Sequence, residues 1–367
     1  MKLLVIGAGV YVRGIHDIES PLGAFGGAVV RGFRAGIISE VFILSTSVKS
    51  TEFAVSKINR KAGAKICRTL LMSDFDGGFV EKTGVRAALI AVPDDFHHSY
   101  IKKCGELGLH VLTVKPFVEK VSEARELAAL FHENGLIGAV DFHKRFDPAN
   151  ILLKKEVGSS VGQISRIMID YSQDQRVPLI DFKNWFARSN VFQYLGVHYV
   201  DLVFWLTGAK PVEVDVFPSG QALAGVSGFP VWDNIDVFIR WETEGKFFNS
   251  IHLTSWAENH SGYCPSRQKI EILGGKCRLQ SEQADRGFAK ITSTGLSVIN
   301  PNFCQEFELG RGCDYLGYGI DSVVSFLRSV AQGVENQDLA VDSICTFQDA
   351  IVSVEVCESV RSSLQHV

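Results

Sequence analysis

Val111-Leu112-Thr113-Val114-Lys115-Pro116-Phe117 is an apolar run of strand composition that stops on a lysine followed by proline. Proline fixes its own φ and pushes the preceding residue out of the helical region, so Lys115 is held extended and cannot open the next helix. Open α/β sheets bind their ligands at the carboxyl ends of the strands. The run therefore predicts an ammonium group aimed at such an edge; a solvated lysine in a βα loop is the plainer alternative.

Working outward, Arg86 to Val92 reads as the preceding strand. It ends in Pro93-Asp94-Asp95-Phe96-His97-His98, which places a histidine in the first turn of a helix over 95–107. Downstream, a helix over 121–134 and a strand over 136–142 continue the alternation. Toward the amino terminus come a strand at Glu40 to Leu44, a helix over 51–62, a short strand near 65–70 and a helix around 74–83. Residues 2–6 make the first strand. Strands alternating with helices in this way predict a Rossmann-type, doubly wound parallel sheet over 1–146.

Gly7-Ala8-Gly9 follows the first strand at once, as the opening of a dinucleotide-binding turn does. In the full G-x-G-x-x-G pattern the third glycine lets helix and strand pack closely. Here Val12 holds that position and Gly14 comes two residues later. From Gly14 to Gly27 the chain shows proline and glycine punctuation without a helical period, so this reads as an inserted loop with the helix starting near Ala24. A phosphate cradle would then draw on Gly23, Gly26 or Gly27 and on Arg13; a surface excursion unrelated to any cofactor is the alternative. The second strand ends in Ser45-Thr46-Ser47-Val48-Lys49, where an NAD site usually carries an acid for the ribose 2′-hydroxyl. Small hydroxyls with a lysine tolerate a 2′-phosphate, which favours NADP over NAD.

Composition narrows the classes. With 367 residues, 46% apolar and 21% charged, the chain exceeds the ~250 to 300 residues at which single cores stop growing, so two domains are expected. A net charge of −4 shows no basic excess and argues against nucleic acid or an anionic membrane as partner. No stretch approaches the ~20 apolar residues of a membrane helix, and no signal peptide is read at the start. The eight cysteines are scattered without C-x-x-C or ligand spacing, which predicts reduced thiols in a cytoplasmic protein and no metal site.

After a helix beginning near Asp147, the chain turns to longer alternating strands, at 164–171, 212–217, 233–241, 246–254, 269–273 and 277–280. They predict a mainly antiparallel sheet flanked by helices over 147–367, with a hairpin at Glu242-Thr243-Glu244-Gly245. Within it, Phe192 to Leu206 reads as one apolar helix whose spacing sets Tyr194, His198 and Asp201 on one face. His198 then serves either as a core histidine bonded to Asp201 or as a proton acceptor. Gln173 to Arg176 and Trp256 to Asn259 set polar groups next to tryptophan, which suits a sugar-like ligand. Two amphipathic helices, 318–333 and 341–364, are expected to return to the first domain with their Val and Ile stripes in the core.

Taken in order, Gly7-Ala8-Gly9, Pro93 to His97, Lys115-Pro116 and His143-Lys144-Arg145-Phe146-Asp147-Pro148 resemble the motifs of the Gfo/Idh/MocA family of NAD(P)-dependent oxidoreductases. The resemblance covers essentially the whole length. It departs at Val92, Asp94 and Val114, where the family has Thr, Asn and Glu, and at Tyr194, where the family's D-x-G-x-H-x-x-D helix begins with an acid. What it implies is a dehydrogenase or reductase acting on a hydroxyl-bearing carbon of a sugar, nucleotide sugar or cyclitol. Lys115, His198 and Tyr194 would be catalytic. Cofactor contacts would come from Gly7, Gly9, Val10, Tyr11, Val12, Arg13, Ser45, Ser47, Lys49, Val92, Pro93, His97, Lys115 and Arg145. Substrate contacts would come from Lys115, Tyr194, His198, Asp201, Trp256 and Asn259. The alternatives are a non-catalytic nucleotide-binding sensor of the same fold, or an enzyme that oxidises transiently and recycles its cofactor. A homo-oligomer, dimer or tetramer, is expected.

Overall fold

The computed structural model describes residues 1–15, 17–181, 188–228, 231–258, 266–283, 285–293, 295–308, 313–333 and 344–365. In chain order the first stretch carries β1 (Lys2–Ile6), α1 (Val10–Arg13), α2 (Ala24–Arg34), β2 (Glu40–Leu44), α3 (Val48–Ala62), β3 (Cys67–Thr69), α4 (Gly77–Thr83), β4 (Val85–Ile90), α5 (His97–Glu106), β5 (His110–Val114), α6 (Val121–Glu133) and β6 (Gly138–Asp141). Then come α7 (Pro148–Ser159), β7 (Ile164–Asp174), a π-helical turn (Phe192–Gly196), α8 (Val197–Thr207), β8 (Lys210–Ser219), α9 (Ala222–Ser227), β9 (Asn234–Thr243), β10 (Lys246–Glu258), β11 (Ser266–Gly274) and β12 (Arg278–Glu282). The last stretch holds β13 (Ala289–Thr292), β14 (Gly295–Val298), β15 (Gln305–Glu308), β16 (Cys313–Leu316), α10 (Tyr318–Gln332), β17 (Cys345–Thr346) and α11 (Phe347–Leu364).

Two compact units result: Met1–Asp147 with Asn302–Ile351, and Pro148–Pro301 with Val352–Val367. In the first, the sheet runs β17-β6-β5-β4-β1-β2-β3, parallel throughout except for β17, which pairs antiparallel with β6. Omitting β17, this is the 3-2-1-4-5-6 order of a doubly wound dinucleotide fold, and the order reverses between β1 and β4. Local signals set the elements. Ser47 caps α3 by accepting from the Ser50 amide at 3.3 Å, and Gly63 ends that helix in the left-handed conformation. Asp76 caps α4 through the Phe79 amide at 2.8 Å. Leu3, Val5, Val41, Ile43, Ala87 and Leu89 form one apolar face, covered by Phe25, Ala28 and Val29 of α2 and by Val323, Val324 and Leu327 of α10.

The second unit is a six-stranded sheet in the order β12-β11-β7-β10-β9-β8. Its pairs are antiparallel apart from β7 with β10, which run parallel. Thr243 faces Lys246, so the β9–β10 hairpin closes through Glu244 and Gly245, both with positive φ, 51° and 75°. That is the two-residue turn whose twist matches the strands. Period-two burial sends Ile167, Ile169, Tyr171, Ile235, Val237, Trp241, Trp256, Ile270 and Ile272 inward. Met168, Phe238, Leu253 and Phe217 stand exposed on the other face. The helix read from Phe192 to Leu206 is interrupted: its first turn is π-helical, and only α8 is regular.

Candidate functional site

In the first unit, the turn after β1 lies at the switch point of the sheet. Gly7 has φ +110°, and a Cβ there would stand 2.1 Å from the Ala91 carbonyl oxygen, so only glycine fits. Gly9 is different. Its backbone is extended (φ −79°, ψ −168°), and a Cβ built on it meets nothing within 4 Å. Open space of this kind at the second glycine is what a closely approaching pyrophosphate requires, so the residues present fit a dinucleotide.

The missing third glycine has a physical substitute. Val12 is 1% exposed and belongs to the core, and a Cβ on Gly26 would lie 2.1 Å from the Val12 carbonyl oxygen. Gly23 similarly abuts the carbonyl oxygens of Val10 and Tyr11, at 2.3 and 2.4 Å. Gly23 and Gly26 thus let the start of α2 pack closely on the one-turn α1. The insertion between them is docked on α3: Lys57, wholly buried, donates to Ser20 Oγ at 2.8 Å and to the Pro21 carbonyl at 3.2 Å. Burial, then the neighbouring Lys61, lowers the Lys57 pKa. Lys61 donates to the Glu19 carbonyl at 2.8 Å, and Arg60 pairs with the Glu19 carboxylate.

The other expected cofactor residues fall in several settings. Val10 is exposed, and Arg13 lies with its Cζ 5.4 Å from the Phe53 ring centroid on α3. Ser45 Oγ donates to the Ser47 carbonyl at 3.0 Å and shares a 2.8 Å bond with Thr51, while Ser47 serves as the α3 cap; both hydroxyls hold the start of that helix. Lys49 is exposed on its first turn. Pro93 is exposed, and its carbonyl accepts from the Phe96 amide. His97 is fully buried, with Nδ1 2.7 Å from the Pro116 carbonyl oxygen and 3.1 Å from that of Phe117, and Nε2 3.0 Å from that of Val92. It braces the end of β4 against the segment that presents Lys115. Lys115 itself is half-buried, and its bond to Pro116 is cis. Arg145 is 2% exposed and faces Asp349 at 3.6 Å.

A cluster the sequence did not reveal lies beside the glycine turn. Asp141 ends β6, and its buried carboxyl accepts from Tyr11 at 2.6 Å and from Ser322 of α10 at 2.7 Å. His143 Nδ1 stands 3.4 Å from the Tyr11 hydroxyl oxygen, and its ring stacks on Tyr318 at 5.7 Å. Burial and the Asp141 charge raise the Tyr11 phenol well above its ordinary range, so its proton stays on as a donor. An acid closing an otherwise apolar strand, Gly138-Ala139-Val140-Asp141, was the available signal.

In the second unit, His198 and Asp201 are 4% and 2% exposed on α8, a helix buried nearly all round. The π turn ahead of them widens the backbone, so the four-residue spacing from Tyr194 to His198 is not that of a regular α-helix; π turns of this kind recur at functional sites. Tyr194 is the half-buried residue of that turn, and its ring centroid lies 5.9 Å from that of Trp256. Gln193, buried, accepts from Arg361 at 2.8 Å. Asn259 lies outside the described residues. Among the described residues no group of three or more His, Cys, Asp or Glu side chains is arranged to hold a metal ion, and no helix is long and apolar enough to cross a membrane.

Comparison with known proteins follows the same division. Residues 35–142 match the model of an oxidoreductase family with an NAD-binding Rossmann fold, and residues 158–280 match the GFO/IDH/MocA C-terminal domain. Among curated relatives, the uncharacterized oxidoreductase YhhX of Escherichia coli is 30% identical over 125 residues, 34% of this chain and 36% of its own length, so the match spans about a third of that relative. Inositol 2-dehydrogenase of Rhizobium meliloti is 23% identical over 252 residues, 68% of this chain and 72% of its own. A crystal structure of scyllo-inositol dehydrogenase from Lactobacillus casei with bound NAD(H) and scyllo-inositol superposes with a TM-score of 0.70 at 14% identity, over 100% of this chain and 97% of the other. At that identity the likeness is one of fold.

Proposed function

The chain belongs to the Gfo/Idh/MocA family of oxidoreductases, and from that premise we propose that it moves a hydride between a hydroxyl-bearing carbon of a cyclitol, sugar or nucleotide sugar and a nicotinamide dinucleotide. The observation that carries the dinucleotide half is the glycine turn at the switch point, with Gly7 jammed against Ala91 and Gly9 open. The nicotinamide, when bound, supplies the hydride chemistry. Lys115, fixed at the end of β5, lends positive charge to the substrate oxygen as charge develops there. His198 takes the hydroxyl proton, with Asp201 orienting it and Tyr194 donating to the same oxygen. Trp256, 1% exposed, stands behind Tyr194 with the ring centroids 5.9 Å apart and backs the residue that meets the substrate. The inositol dehydrogenases among the relatives favour a cyclitol.

The absence of an acid from Ser45 to Lys49 favours NADP. Melting temperatures with NAD, NADH, NADP and NADPH in turn test both points, because a ligand that binds only the native state raises the melting temperature by mass action. A rise with one pair supports the proposal; no rise with any, in protein freed of bound nucleotide, defeats it. A nucleotide-binding sensor is the second reading, favoured by Tyr194 in place of the family's acid, and binding without turnover is its signature. We take the protein to work in the cytoplasm as a dimer or tetramer, with Met168, Phe238 and Leu253 on the covered sheet face; light scattering that gives a monomer mass would refute this.

A further inference from the structure

The glycine turn of this chain is carried on an unusually short support. α1 is a single turn, Val10–Arg13, after which the chain departs at Gly14, and the longer α2 resumes only at Ala24. One turn of helix has little cooperative stability of its own. What fixes it is lateral: the Tyr11 ring packs edge-on to Phe25 at 5.0 Å, and the Tyr11 hydroxyl reaches across to the end of β6, 130 residues away, to donate to Asp141 at 2.6 Å. The Asp141 side chain is fully enclosed, and its second oxygen is held by Ser322 at 2.7 Å. A hydrogen bond to a buried carboxylate is short, directional and stronger than one between neutral groups.

We propose that Tyr11 is a positioning residue for the dinucleotide: its hydroxyl, anchored on Asp141, holds the Gly7-Ala8-Gly9 turn in the geometry the pyrophosphate needs, in place of the continuous helix that the insertion interrupts. This inference rests on the dinucleotide reading above. Tyr11 acts through Asp141 and not by touching the reacting atoms. Ser322 supplies the internal comparison, since it donates to the same carboxylate from α10 rather than from α1.

The test uses the whole protein and three variants of one network. Tyr11→Phe keeps the ring and its packing on Phe25 and removes the hydroxyl; Ser322→Ala removes the other donor; the third carries both changes. Dissociation constants for NADPH, NADH and ADP-ribose, which carries the pyrophosphate but no nicotinamide, are measured by titration calorimetry. Melting temperature and amide exchange are followed without nucleotide. Tyr11→Phe is expected to weaken whichever dinucleotide binds, and ADP-ribose with it, by about tenfold or more, equivalent to about 1.4 kcal/mol. Amides 10–14 exchange faster, and turnover at saturating cofactor changes less than affinity does. Ser322→Ala lowers the melting temperature comparably but leaves ADP-ribose affinity within about twofold. Equal affinity in wild type and Tyr11→Phe, or equal weakening by Ser322→Ala, overturns the positioning role. A wild-type protein that binds none of these nucleotides overturns the dinucleotide reading itself, and the tether's cofactor role with it.

Discussion

Acidification should destabilise this protein through one buried imidazole, and replacing that imidazole should remove a calculable part of the effect. His252 lies on the inward face of β10, wholly enclosed, with its Nε2 2.8 Å from Ser250 Oγ. That hydroxyl also accepts from the Trp241 indole at 2.7 Å. Among the described residues Nδ1 meets no hydrogen-bond partner, and the Phe192 ring sits 5.9 Å from the imidazole. Burial drives the pKa from 6.5 down to about 3. A pKa lowered in the folded state means that the unfolded chain takes up the proton first. Stability is therefore complete above the unfolded value near 6.5 and falls as pH drops through the window between 6.5 and about 3. At pH 5 the loss is about 2 kcal/mol, set almost entirely by the unfolded imidazole. For a unit of this size that corresponds to roughly 4 to 8 °C in melting temperature. His252→Gln keeps an acceptor for Ser250 and cannot titrate. Melting temperatures of wild type and variant between pH 7 and pH 5 should converge as the pH falls, because only wild type carries this term. Parallel curves would refute the assignment.

Three further outcomes follow from the first unit and its lysine. Gly7→Ala should destabilise the protein by several kcal/mol, since its methyl would stand 2.1 Å from the Ala91 oxygen at a φ of +110°; a chemical denaturation midpoint equal to wild type would contradict this. Gly9→Val should cost the nucleotide-free protein about 1 kcal/mol or less, because the space is open, yet abolish nucleotide binding by filling the approach; calorimetry and melting temperature together separate the two. Lys115→Ala should lower kcat by roughly 10² to 10³ while shifting the dinucleotide dissociation constant far less; unchanged turnover would remove Lys115 from the chemistry.

Much of the architecture was legible because it depends on short-range signals. The βα alternation up to Phe142, the late helix start at Ala24 and the Glu244-Gly245 turn all rest on period, glycine and proline, and the structure carries each of them. The parallel pairing of β7 with β10 was not legible, because an alternating strand has the same pattern whichever neighbour it meets. Nor was the π turn at Phe192–Gly196, whose apolar content equals that of the regular helix it precedes. In the site, Lys115 and the glycine turn stand where strand ends must lie. His97 was legible as a helix-start residue, but its clamp between Val92, Pro116 and Phe117 requires two strand ends brought side by side. The Tyr11–Asp141–Ser322 cluster joins positions 130 and 181 residues apart, a distance no local pattern spans.

The most direct measurement is turnover itself: wild-type protein and Lys115→Ala, each mixed with NAD or NADP and a panel of inositols, hexoses and nucleotide sugars, followed by the near-ultraviolet absorbance of reduced nicotinamide. Reduction driven by at least one hydroxylated ring compound, with a cyclitol the first expected, and its loss in the variant are the predicted results. Nucleotide binding without reduction by any member of the panel, or equal rates in the two proteins, would contradict the proposed hydride transfer.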